Sequence, residues 1–301
     1  MAVDGFNCLY HDADARTKPA RVAVAGGDDP TVLEAMRIAC DCGWVQPVLF
    51  GSERGIKTVA ASNGIDLDEF EIRHAEGAEI AAAAVAEVRC GGAQALMKGQ
   101  LSTPELMKAV LDHDHGLRTG RVICQVVLME IPRDHRRFLL ADTGICVQPS
   151  VDERIDILRS TIDVAKTLWE PTPRVALMAA TEIVKLSMPE TVEAFELARR
   201  NQQGEFGDCL IEGPLSFDLA YAADAGNKKR VEGSVVGAAD VMLFPNLLAA
   251  NLTVKAIMYT ADCRFGGVLR GTSAPVVFMS RADTTETRLN SLALTLRILD
   301  H

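Results

Sequence analysis

What this 301-residue sequence lacks excludes several classes of protein. No apolar run approaches the roughly 18 residues that a membrane-crossing helix needs. The opening segment has no basic stretch followed by an apolar one, so no secretory signal is expected. The eight cysteines, Cys8, Cys40, Cys42, Cys90, Cys124, Cys146, Cys209 and Cys263, form no CxxC pair and no Cys/His ladder of zinc spacing. Reduced thiols, a cytoplasmic location and no bound metal are the expectation. Positive charge is in deficit, with 31 Lys and Arg against 41 Asp and Glu and a net charge of -10. The pI near 5.2 gives no general attraction to nucleic acid or to an anionic membrane. An anionic substrate would need a local cationic pocket, which makes clustered arginines informative here. No nucleotide-binding motif is present either: Gly26-Gly27 fits neither GxGxxG nor GxxxxGK[ST] and reads as a tight turn.

What is present is ordinary globular material, with 48% apolar and 24% charged residues. The length suits two α/β units or one large one. Residues 1–20 lack periodicity and read as an irregular leader. RVAVAGG (21–27) then reads as a strand, and residues 28–43 as a helix with Pro30 in its first turn and Gly43 past its end. VQPVLFG follows as the next strand, giving a βαβ unit and a parallel sheet. The alternation continues to residue 299, with one exception. RVICQVVLMEIP (121–132) and RRFLLADTG (136–144) have no helix between them, which predicts an antiparallel pair in a mixed sheet. The expected division is a discontinuous first domain, residues 1–120 with 267–301, around a second domain, residues 121–266.

Several clusters carry chemistry. Lys98-Gly99 closes a strand, and Ser102-Thr103 follows at a helix start. The free N–H groups there suit a phosphate oxygen, although one hydroxyl could serve only as an N-cap. Arg118, Thr119 and Arg121 surround a glycine turn, as either a bidentate phosphate clamp or a solvated loop. Asp218 follows the Gly213-Pro214 turn, to orient a cation or catalytic group or to cap a helix. Asn251 and Lys255 share a helix face. The strongest cluster is Ser280, Arg281 and Asp283, at the C-terminal end of a buried strand, the edge where open α/β sheets bind ligands.

Taken in order, these motifs resemble the phosphate acetyl/butyryltransferase family, and more closely its phosphate butyryltransferase-like branch. The carriers are AGGDDPTVLEA, ALMKGQLSTPELMKAVL, GLRTGR, the Ala141-Asp142 of ADTGICVQPS, EGPLSFDLA, LFPNLLAANLTVK and PVVFMSRADTTETRLNSLAL. The likeness runs from about Arg21 to Leu299. It implies a two-domain α/β fold similar to isocitrate and isopropylmalate dehydrogenases, with mostly parallel sheets, an interdomain cleft and usually a homodimer. It implies transfer of an acyl group between coenzyme A, as a substrate, and inorganic phosphate, without a cofactor. Ser280 and Arg281 match the family's Ser-Arg pair at the reacting acyl phosphate, with Asp283 or Glu286 as candidate base. Lys98, Gly99, Ser102, Thr103, Arg118, Thr119, Arg121, Asp142, Asp218, Asn251 and Lys255 are the expected phosphate and coenzyme A contacts.

The chain departs from the family pattern at Cys124-Gln125, where Ser-His is common. It also departs at Cys146 in place of Asn, Ala179 in place of Ser and Ala250 in place of Gly. These departures bear on acyl preference or on activity itself. Two other readings follow. One is a relative that keeps the fold and anion site with a changed reaction or a binding role only. The other is a metal-dependent dehydrogenase of the same architecture, echoed by Gly271-Thr272-Ser273-Ala274-Pro275. No set of aspartates for a divalent metal supports the second, and those residues read instead as a loop leading into a strand.

Overall fold

The computed structural model describes residues 5–168, 172–278, 280 and 282–301. In chain order the elements begin with α1 (Gly5–Asp14), β1 (Ala20–Ala25), α2 (Pro30–Asp41), β2 (Val45–Gly51), α3 (Glu53–Asn63) and β3 (Glu71–His74). Next come α4 (Glu79–Arg89), β4 (Ala95–Lys98), α5 (Thr103–Val110), β5 (Cys124–Ile131) and β6 (Arg136–Ala141). They are followed by α6 (Val151–Leu168), β7 (Arg174–Met178), α7 (Pro189–Gln202), β8 (Leu210–Leu215), α8 (Phe217–Tyr221) and α9 (Ala223–Lys229). The chain closes with β9 (Val241–Leu243), α10 (Leu247–Thr260), β10 (Arg264–Arg270), β11 (Val276–Val277) and α11 (Thr285–Leu299).

The chain divides into two compact units, Met1–Arg121 with Arg264–His301, and Val122–Cys263. In the first unit the strands run β3-β2-β1-β4-β11-β10, all parallel to their neighbours except β10 against β11. The strands β1, β2 and β4 are almost wholly buried, as strands covered by helices on both faces must be. In the second unit the order is β5-β6-β9-β7-β8, parallel except for β5 against β6. That antiparallel pair is the one the helix-free stretch of sequence predicts.

The leader is not irregular. Residues 5–14 form α1, and its Phe6, Leu9 and Ala13 fall on one helical face and are buried. Tyr10 donates to Asn290 Oδ1 at 2.8 Å and Trp44 Nε1 to Asp14 at 2.7 Å, tying α1 to its own unit. Segment 217–230 is a broken helix, α8 and α9, interrupted at Ala222.

Candidate active site

Parallel pairing brings the C-terminal ends of β1, β4 and β11 to one edge of the first unit. Ala25 is level with Lys98, and Met97 with Val277, so the Gly26, Gly99 and Ser280 turns leave the sheet side by side. Lys98 is buried at the end of β4, its Nζ 3.5 Å from the Gly99 carbonyl oxygen. The turns after β1 and β4 touch through backbone alone. Gly99 N donates to Ala25 O and Gln100 N to Gly26 O, both at 2.8 Å. A Cβ on Gly99 would lie 1.9 Å from Gly26 O, so only glycine fits.

Ser102 is the N-cap of α5 and makes a capping box with Glu105, its Oγ accepting at 3.3 Å and its N–H donating at 2.9 Å. Thr103 is the first helical residue and is exposed. The Arg118–Arg121 turn is pinned to the loop before β11. Thr119 Oγ1 donates to Gly271 O at 2.7 Å, Ser273 N to Leu117 O at 2.9 Å, and Arg118 pairs with Thr272. The Gly271–Pro275 stretch therefore braces the arginine turn and then feeds β11. Arg118 and Arg121 are exposed.

Beyond β11, Asp283 Oδ2 accepts from Ser280 N at 2.7 Å, Asp283 N donates to Ser280 O at 3.2 Å, and Ser280 Oγ accepts from Ala282 N at 3.3 Å. The result is a closed turn with an exposed serine, ending at Thr284, the N-cap of α11. Arg281 lies outside the described residues. The two candidate carboxylates separate clearly: Asp283 belongs to the Ser280 turn, whereas Glu286 accepts from Arg264 Nε at 3.2 Å.

The other predicted residues collect in the second unit. Asp142 is 4% exposed, and its carboxylate receives four backbone N–H groups. Gln125 donates at 2.9 Å, Gly144 at 3.0 Å, Ile145 at 3.2 Å and Cys146 at 2.7 Å. Asn251 Nδ2 donates to Thr143 O at 3.1 Å, tying α10 to the same loop, while Lys255 one turn on is exposed. Asn246 caps α10 through Ala249 N at 3.0 Å. Of the positions that depart from the family pattern, Gln125 and Cys146 thus bond to Asp142 directly, and Cys124 and Ala250 precede Gln125 and Asn251 in the chain. Burial and Asp142 push the Cys146 thiol up to about 12, so it is a neutral thiol at physiological pH. Asp218, in the first turn of α8, pairs with Lys229 at 2.8 Å, which with the Ser216 hydroxyl holds its carboxyl below the usual range. It stands apart from the Asp142 loop in its hydrogen bonding.

Sequence reasoning missed two residues at the sheet edge. Asp29, the N-cap of α2, accepts from Val32 N at 3.0 Å, and Arg288 of α11 donates through Nε to Thr31 Oγ1 at 2.9 Å. Asp29 had a signal, an acidic residue just before Pro30. Arg288 had one too, a charge on the helix stripe shared with Ser291, Leu292 and Thr295.

Comparison with known proteins shows the family. Residues 76–296 match the phosphate acetyl/butaryl transferase family. The chain is 38% identical to phosphate butyryltransferase of Clostridium acetobutylicum over 275 residues, which is 91% of each protein. It is 35% identical to phosphate acetyltransferase of Thermotoga maritima over 280 residues, 93% of this chain and 95% of that one. The crystal structure of a branched-chain phosphotransacylase from Enterococcus faecalis superposes with a TM-score of 0.82 at 29% identity, covering 94% of this chain and 99% of that one. With the motif order, the fold and near full-length similarity in agreement, the chain belongs to the phosphate acetyl/butaryl transferase family.

Proposed function

We infer that this protein is an acyltransferase that interconverts acyl-CoA plus inorganic phosphate with acyl phosphate plus coenzyme A. The observation that carries the reading is the closed Ser280–Asp283 turn at the sheet edge that also bears Lys98 and Gly99. In the direction of acyl-CoA synthesis, the coenzyme A thiol gives its proton to a carboxylate, for which Asp283 is better disposed than Glu286 because it shares the Ser280 turn. Such a thiol has a pKa of about 8.5, so base assistance is useful near neutrality. The sulfur attacks the acyl carbonyl, a carbon–sulfur bond forms, and the bond to the phosphate oxygen breaks. The Ser280 hydroxyl donates to the oxyanion, and Arg281 with Arg118 or Arg121 holds the departing phosphate. Transfer is direct, within a ternary complex, and needs no enzyme nucleophile.

The proposal includes the architecture of isocitrate and isopropylmalate dehydrogenases, with substrates between two domains, and a cytoplasmic homodimer. Leu248, Leu252 and Tyr259 support a second copy as partner, since they lie along one face of α10 and are 69%, 60% and 77% exposed. The test is to incubate the protein with phosphate and a panel of acyl-CoAs, from acetyl through butyryl to branched chains, and follow thiol release. Phosphate-dependent release with at least one donor is the expected result, from a sample that light scattering reports as a dimer. No release with any donor, from protein shown to be folded, rules out the activity.

A further inference from the structure

The mechanism above makes no use of the charge buried in the second turn of α11. Arg288 is 1% exposed. Its Nε donates to Thr31 Oγ1 at 2.9 Å, and that hydroxyl donates to Asp29 Oδ1 at 2.6 Å. Its Nη2 lies 4.0 Å from the same carboxylate oxygen and is buried without a hydrogen-bond partner among the described residues. A second tie joins the helices where Thr285 Oγ1 donates to Glu34 Oε2 at 2.6 Å. Burial pushes the guanidinium pKa down, opposed by the carboxylates of Asp29 and Asp283. A buried charge with an unmatched donor is costly, and an apolar side chain here would avoid that cost. Departures from good packing practice of this kind concentrate where function requires them.

The position has an evident use. From α2 the connections run through Asp29 and Thr31 to Arg288, whose guanidinium interacts electrostatically with the carboxylate of Asp283. That carboxylate closes the Ser280 turn. We propose that Arg288 is a positioning residue for acyl transfer, anchored on the start of α2 and holding the carboxylate that closes the Ser280–Asp283 turn with a permanent positive charge. The proposal rests on the reading of Ser280 as the contact to the reacting group. A displacement of about 1 Å at such a contact costs on the order of 100-fold in rate.

The test compares Arg288→Met, Arg288→Lys, Thr31→Val, Ser280→Ala and the Ser280→Ala/Arg288→Met double variant in the full-length protein. Thiol release gives kcat and KM, and a thermal melt reports folding. Arg288→Met is expected to lower kcat about 30-fold while KM for both substrates moves less than about threefold, with Arg288→Lys recovering part of the loss. Thr31→Val, which keeps the arginine and removes its anchor, is expected to lower kcat about fivefold. The double variant is expected to be no slower than Ser280→Ala alone, because Arg288 acts through that turn. An effect of Arg288→Met confined to the melt or to KM overturns the proposal. If Arg288→Met does not fold, an unchanged kcat in Thr31→Val overturns it instead. Wild-type turnover in Ser280→Ala would sink the Ser280 assignment, an outcome distinct from failure of Arg288 alone.

Discussion

The turns at the edge of the first unit are held backbone to backbone, whereas the loop after β6 in the second unit is held by one side chain. Gly26 and Gly99 approach so closely that no Cβ fits between them, and the adjacent Ser280 and the arginines of the Arg118–Arg121 turn stay exposed. At the Asp142 loop the arrangement is inverted. The carboxylate is buried and engaged by four N–H groups, and what the loop presents is shape and backbone. The difference indicates which positions can change without loss of the fold. Positions around Asp142, such as Gln125 and Cys146, can exchange side chains while the carboxylate keeps the loop intact. The glycine contact admits no such exchange.

The largest effect is expected from breaking the second unit's loop. Asp142→Ala leaves four donors without their acceptor, each worth about 1–3 kcal/mol where water cannot reach it. Discounting the half-buried ones, we expect a loss of about 4 kcal/mol, read as a fall in melting temperature of about 10 °C. A fall of only a degree or two would mean that the loop is held by something else. Next is Gly99→Ala, which drives a methyl group into the Gly26 carbonyl and is expected to cost about 3 kcal/mol in chemical denaturation. The same substitution at Gly51, whose φ is not positive and where a Cβ would meet only ordinary contacts from 3.5 Å outward, is the control for lost backbone freedom. The smallest effect comes from Cys146, whose pKa stands at about 12 against an ordinary 9.0. The folded state holds that proton more tightly than the unfolded chain. Its stabilising contribution is therefore complete below about pH 8 and is lost as pH climbs from 9 toward 12. Cys146→Ser should flatten the alkaline side of the stability profile, and an unchanged profile would contradict the buried, neutral thiol.

Most of the regular elements were legible in the sequence, because buried parallel strands and amphipathic helices announce themselves by run length and period. Those without an expected counterpart fail for particular reasons. The strand β10, RFGGVLR, carries two glycines that weaken any strand signal, but Gly266 is needed because a Cβ there would lie 2.8 Å from Ser291 N of α11. β3 is a short edge strand whose Glu71 and Arg73 serve ion pairs with Arg21 and Glu87. α3 buries only Ile56 and Ala60, too few to give a period. Motif order singled out the Ser280 turn and the arginine turn as candidates. Neither spacing nor residue type reveals that Asp142 faces inward to its own backbone, or that Glu286 is taken by Arg264. The first depends on how a short loop folds back on one carboxylate, and the second on a contact between residues 22 positions apart.

The first unit takes its sheet from two stretches of chain, and β4 finds its second neighbour only in β11. A chain emerging from the ribosome thus makes the whole of Val122–Cys263, an unbroken segment, before it can supply β11, α11 and the Ser280 turn. Until then β4 carries an open edge, of the kind that recruits stray strands. The Ser280 turn is made only after the whole second unit, and the gap beside β4 is filled at the same stage of synthesis.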